Sequence, residues 1–182
     1  MSTLGRQGRD GVLVIDMQVG VLRDCQDRDA VLGRTAVLVE RARAAGKPVI
    51  WIQHEGAGLD RDSDAWRLAE PLSPAEGEPV VAKTFRDAFA ATALEQTLAR
   101  LGVDHLIVAG AQSDFCVRAT TQRAAAEGYD VTLVADCHTT EDAEHDGVRI
   151  GAAQIVAHNN LWLSTLRYPG QSFATVKHDE VA

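Results

Sequence analysis

An acid, an amine and a thiol each follow a short apolar run in this sequence. Asp16 ends "GVLVID" (11–16), Lys83 ends "VVAK" (80–83), and Cys116 lies just beyond "HLIVAG" (105–110). A thiolate is a strong nucleophile, but a free thiol is mostly protonated near neutral pH and needs a nearby positive charge to ionise. Lys83 supplies such a charge. Attack on a carbonyl also needs a group that stores a proton and returns it to the leaving atom. Asp16 suits that role if burial beside the thiol raises its pKa. Cys116 opens a helix in this reading, so unpaired N–H groups and the positive end of the helix dipole favour the thiolate as well. The three together describe a nucleophilic hydrolase working through a thioester, with its oxyanion met by N–H groups of the 110–116 loop.

Taken singly, each residue has a blander explanation. A cysteine near a helix start is more often a small buried apolar residue, and a strand-end lysine or aspartate a surface charge or cap. What raises them above that is convergence, and convergence depends on the fold. Short continuous apolar runs, of the kind buried on both faces of a parallel sheet, occur at 11–16, 48–54, 80–83, 105–110, 130–136 and 172–178. Helical patterns fall between them at 29–46, 87–102, 116–128 and 143–158. This alternation predicts one α/β domain over 1–182, a doubly wound, mostly parallel six-stranded sheet with helices on both faces, Rossmann-like in architecture. In such sheets ligands bind beyond the carboxyl ends of the strands, which is where Asp16, Lys83 and Cys116 fall. The Gly/Pro-rich stretch 55–79 is long for a connection and is expected to be a functional loop or lid.

Bulk properties exclude several partners. A formal charge of −8 argues against binding a phosphate backbone, and no apolar stretch reaches the length of a membrane span. "MSTLGRQGRDG" lacks the apolar centre of a secretion signal. Three cysteines, Cys25, Cys116 and Cys137, have no metal-ligand spacing and suit a reducing cytoplasm. No nucleic acid, membrane or cofactor is expected, and the partner is a small-molecule substrate.

The segments "VLVIDMQ" (12–18), "VVAKTFRDAF" (80–89) and "GAQSDFCVRAT" (110–120) resemble those of the isochorismatase-like cysteine hydrolase superfamily, with Asp, Lys and Cys in the family's order. The resemblance implies that Asp16 is the proton shuttle, Lys83 the charge that lowers the thiol pKa, and Cys116 the nucleophile. It also implies a cis peptide at Ala111–Gln112 that aims the N–H of Gln112, with that of Cys116, at the oxyanion. A homo-oligomer, dimer or tetramer, is implied too, with "HNNLWLS" (158–164) as the packing segment.

Two departures narrow the branch. The nicotinamidases of this family hold a metal through an Asp-x-His motif, and here "IQH" (52–54) has Ile52 in place of the aspartate, with no histidine in 55–104 to complete the set. No metal is therefore expected. Enzymes acting on the vinyl ether of isochorismate typically lack the cysteine, whereas Cys116 is present. The remaining, metal-independent branch leans toward C–N amide bonds. Rivals are vinyl ether hydrolysis, with Asp16 as acid and Cys116 a bystander, and a non-catalytic binding protein on the same fold. A redox role would need a disulfide between Cys116 and Cys137.

Pocket candidates complete the reading. Trp66, in the long loop, is a lid residue or a loop anchor. His54, Phe85 and Phe115 lie near the same rim and shape the pocket or simply pack. Gln18 orients Asp16 or a loop backbone. Asp136 ends the fifth strand and is assigned to a cap or a turn, and His138 to no catalytic role.

Overall fold

The computed structural model describes residues 2–5 and 8–181. Its main sheet has six strands: β1 (Arg9–Ile15), β2 (Val49–His54), β3 (Val80–Lys83), β4 (Val103–Ala111), β5 (Asp130–Thr139) and β8 (Phe173–Val176). They lie in the order β3-β2-β1-β4-β5-β8, and each neighbouring pair is parallel. The doubly wound sheet expected from the alternating pattern is thus the one observed.

Strand periodicity explains the two cores. Val12 and Val14 of β1, Val49 and Trp51 of β2, and Ile107 and Ala109 of β4 enter one cluster, against α1 (Arg28–Ala44). Leu13, Ile15, Ile50, Ile52, Leu106 and Val108, the alternate residues, enter the other. That second face is covered by α2 (Leu94–Leu101) and α3 (Arg118–Glu127). Because both faces are covered, the strands carry no polar alternation, which is why they read as continuous apolar runs. Each fully buried Val, Leu or Ile stabilises the fold by about 1.5–3 kcal/mol.

Three expected boundaries differ. The helix over 143–158 is instead a hairpin, β6 (Ala143–His145) with β7 (Val148–Ile150), followed by α4 (Ala152–Thr165). Asp146 and Gly147 between the two strands both have positive φ, 50° and 76°, the geometry a tight hairpin demands. The helix expected over 87–102 forms only from Leu94, because Ala91 turns the chain at φ 55°. The helix expected from 116 is preceded by a π-helical turn over Ser113–Val117, and α3 proper starts at Arg118.

The long 55–79 segment is fastened at several points. Val19 and Gly20 donate to the carbonyls of Arg67 and Ala65, and Ala69 donates to that of Met17. Leu68, Ala69 and Leu72 are buried in the α1-side core. A segment polar by composition is therefore anchored by the few apolar residues in its middle.

Candidate active site

Asp16 follows β1 directly and adopts a left-handed backbone, φ 49°, uncommon for a residue other than glycine. Its carbonyl accepts from Gln18 N at 2.7 Å, so the chain leaves the sheet at once and the carboxylate stays at the strand end, wholly buried. Lys83 ends β3, in register with His54 at the end of β2. Its side chain, 0% exposed, brings Nζ to 2.6 Å from Asp16 Oδ2 and 3.2 Å from Cys116 Sγ. The same ammonium lies 3.0 Å from His54 Nδ1 and donates to the Phe85 carbonyl at 3.2 Å. With Lys83 charged, Nδ1 is the acceptor and the His54 proton sits on Nε2.

β4 reaches the site through Gly110. Its φ is +149°, and a Cβ there would strike the Ile15 carbonyl oxygen. Only glycine lets β4 approach β1 this closely. The Ala111–Gln112 peptide that follows is cis. Beyond it the Gln112 N–H has no acceptor among the described residues. The π-turn then carries Cys116, partly buried, to Lys83. A buried chain of hydrogen bonds braces that turn: Ser113 Oγ to His138 Nδ1 at 2.7 Å, and His138 Nε2 to Asn160 Oδ1 at 3.0 Å. His138 is thus a structural brace, held neutral by burial.

The electrostatics correct one expectation. The Cys116 thiol is pushed up to about 12, first by burial and then by the Asp16 charge, which together outweigh Lys83. Burial pushes the Asp16 carboxyl up as well, against the opposing charge of Lys83. The Lys83–Asp16 contact is a close ion pair rather than an aligned hydrogen bond, and both Asp16 oxygens lack a donor. Sequence spacing shows the ammonium beside the thiol. It does not show how deeply Lys83 and Asp16 are buried, nor how strongly burial and the Asp16 charge act on the thiol. The resting thiol is therefore protonated, beside a carboxyl whose pKa burial has raised.

Asp16, His54, Phe115 and Cys116 line one cavity of about 220 Å³, together with Gln112, Val21, Asp24 and Glu141. Ligand atoms of Asp16, His54 and Cys116 lie within 4.8 Å of one another, a spacing a metal ion would accept. Lys83 Nζ contacts all three, so the positive charge these groups would recruit is supplied by the chain itself.

The other candidates take different places. Phe115 lines the cavity and carries the Arg86 guanidinium 3.8 Å from its ring centroid. Phe85 is 58% exposed and contributes its carbonyl rather than its ring. Trp66 lines a separate cavity of about 510 Å³ with Gln53, Arg67 and Leu72. Its carbonyl accepts from the amides of Gln18 and Gln53, which hold this part of the loop away from Cys116. Gln18 also brackets the His54 backbone, accepting from its N–H at 2.8 Å and donating to its carbonyl at 3.0 Å. Asp136 does not end its strand, since β5 runs on to Thr139. It pairs with His178 and Arg34 and tethers the chain beyond β8. Cys137 is buried in the α1-side core, whereas Cys116 packs against the opposite one, and all three cysteines are free. That separation removes the geometric basis for a Cys116–Cys137 disulfide. Asp24 and Glu141 were not among the sequence candidates, because both sit in polar loops with no pattern around them.

The comparisons with known proteins agree with this architecture. The chain is 39% identical to streptothricin hydrolase of Streptomyces noursei over 137 residues, which is 72% of this chain and 54% of that protein. It spans little more than half the length of that relative. N-carbamoylsarcosine amidase of Arthrobacter is 28% identical over 152 residues, 69% of this chain and 58% of the other. The crystal structure of an isochorismatase from Pseudomonas putida KT2440 superposes with a TM-score of 0.87 at 30% identity, covering 96% of this chain and 91% of that one. The isochorismatase domain model matches residues 10–164, which hold every side chain of the site, and the chain belongs to that family.

Proposed function

We propose that this protein is a metal-independent cysteine hydrolase that cleaves a C–N amide-type bond of a small molecule. The observation that carries the reading is the buried Lys83 ammonium, 2.6 Å from Asp16 and 3.2 Å from Cys116, behind the two cavity-lining groups. Ammonium, carboxylate and thiol sum to zero net charge, and they still do after the thiol proton moves to Asp16. That transfer is therefore possible inside a site that tolerates no unbalanced charge. Sγ then bonds to the substrate carbonyl carbon, and the oxyanion meets the N–H groups of Gln112 and Cys116. As the C–N bond breaks, protonated Asp16 gives its proton to the leaving nitrogen and a thioester remains. Asp16 next takes a proton from water, the hydroxide adds to the thioester, and the acid leaves as the thiol is restored.

A relative named as an amidase favours the C–N bond over other acyl bonds. A second reading, protonation of a vinyl ether by Asp16 alone, is favoured by the upward shift of its carboxyl. Cys116→Ala separates the two. Incubation with a library of small amides, followed by intact-protein mass spectrometry, is expected to trap a thioester adduct on the wild type only. Undiminished turnover by Cys116→Ala would overturn the covalent mechanism. The free thiols suit a reducing cytoplasm. Exposed Val148, Ile150 and Leu161, on the hairpin and α4, support association of copies into a dimer or tetramer.

A further inference from the structure

Three partly buried carboxylates elsewhere in this molecule are met by cations: Asp10 by Lys47 and His105, Glu78 by Arg43, Asp136 by Arg34 and His178. Asp24 and Glu141 differ. Neither side chain has a hydrogen bond or ion pair among the described residues, yet both line the catalytic cavity. They come from separate loops, one after β1 and one after β5, and converge on the same opening. Both also line an adjoining cavity of about 600 Å³, where the further carboxylate is Asp142, which caps the Ala152 N–H. Among the described residues, no lysine or arginine lines either space. The nearby guanidinium of Arg86 is stacked on Phe115, and His54, the basic group in the wall, is held neutral by burial and by Lys83. At the inner end Asp16, 0% exposed, faces the cavity with both oxygens lacking a hydrogen-bond donor.

We infer that the substrate is a cationic amide: its scissile carbonyl sits over Cys116, and an ammonium or guanidinium group on an adjoining arm is held by Asp24 and Glu141. This rests on the hydrolase reading and adds the charge of what is hydrolysed. The chain's acid excess, 26 acidic against 18 basic residues, makes an unpaired surface carboxylate ordinary. Two such carboxylates facing one reactive thiol, with no cation lining the wall, is a selective arrangement. Opposite charge along a low-dielectric cleft raises the local concentration of a matching ligand and repels its anionic counterpart.

The test uses two thiol reagents of similar size, 2-aminoethyl methanethiosulfonate and 2-sulfonatoethyl methanethiosulfonate, at low ionic strength. Labelling of Cys116 is followed by peptide mapping. The cation-to-anion rate ratio is expected to exceed that of a free small thiol by about tenfold, and to fall by a similar factor in Asp24→Asn/Glu141→Gln. A ratio equal to the free thiol's, or one unchanged in the double variant, would overturn the inference. Thermal-shift titration with agmatine and with glutarate gives an independent reading. Stabilisation by agmatine that the double variant loses is expected, and an equal response to both ligands would count against the inference. The outcomes also separate the two proposals. Charge-selective labelling without turnover of any amide would sink the amide reading and leave the cation-selecting carboxylates without the amide. Efficient turnover of neutral and anionic amides, without charge selection, would do the reverse.

Discussion

Two acidic residues of this protein stand in similar company and behave in opposite ways. Glu78 lies beside Arg43, and Asp16 beside Lys83. Both Glu78 oxygens are fully occupied: Arg43 donates to each at 2.8 Å, and Oε2 also accepts from Trp51 Nε1 at 2.7 Å and Ala75 N at 2.8 Å. Burial alone would push this carboxyl up, but those bonds outweigh it and hold the pKa down at about 2. Asp16 has a cation equally close, yet no aligned donor, and burial pushes its pKa up. A near cation does not by itself make a carboxylate inert. Aligned hydrogen-bond donors do, and neither Asp16 oxygen has one.

The comparison breaks most visibly at the proposed nucleophile. Cys116→Ala is expected to lower amide turnover by about 10⁴-fold or more, measured as kcat/KM on whichever amide is trapped. Asp16→Asn comes next, with a loss of about 10²–10⁴-fold, the range for removing a general base. It should also produce an effect of the opposite sign. The Asp16 charge raises the Cys116 pKa, so its removal beside an intact Lys83 lets the thiol ionise at lower pH. Iodoacetamide should then alkylate Asp16→Asn faster than wild type at pH 8, and Lys83→Met more slowly, while both variants hydrolyse amides poorly. Slower alkylation of Asp16→Asn would show that the carboxylate does not govern the thiol.

At the structural node the effects are on stability. Glu78→Gln is expected to cost about 2–3 kcal/mol in urea denaturation, because Arg43 loses its more buried charge partner and keeps only the exposed Glu40. Turnover should change less than twofold, since Glu78 lies outside the catalytic cavity. The pH dependence follows from the lowered pKa. Glu78 contributes its full stabilisation above the unfolded value near 4.5, and that contribution is lost as pH falls from there toward about 2. Wild-type stability should therefore fall more steeply between about pH 4.5 and about pH 2 than that of Glu78→Gln, which lacks this titrating group and starts from a lower value.

The contrast also explains what could be read in the sequence. Asp16, Lys83 and Cys116 were legible because each follows a strand buried on both faces, and a parallel sheet brings such ends to one edge. The proton state of Cys116 was not legible, because it depends on burial and on Asp16 across a strand, neither of which leaves a local pattern. The β6–β7 hairpin was legible in principle: "DG" at 146–147 is a strong two-residue turn signal, outweighed here by the alanines and helical spacing on either side. Asp24 and Glu141 had no signal at all, since they meet only when the loops after β1 and β5 come together. His54 was assigned only to the pocket wall, while its contact with Lys83 follows from the β2–β3 register.

Gly110 separates what can vary in this molecule from what cannot. On the proposed mechanism the reach of the transferred proton is set where β4 passes the Ile15 carbonyl without a side chain, which ties the chemistry to the register of the central strands. The groups that choose a ligand sit elsewhere, on loops that register does not constrain. Exchanging those loops between relatives should hand one reactive centre a new clientele, whereas a single added methyl at position 110 would silence every one of them alike.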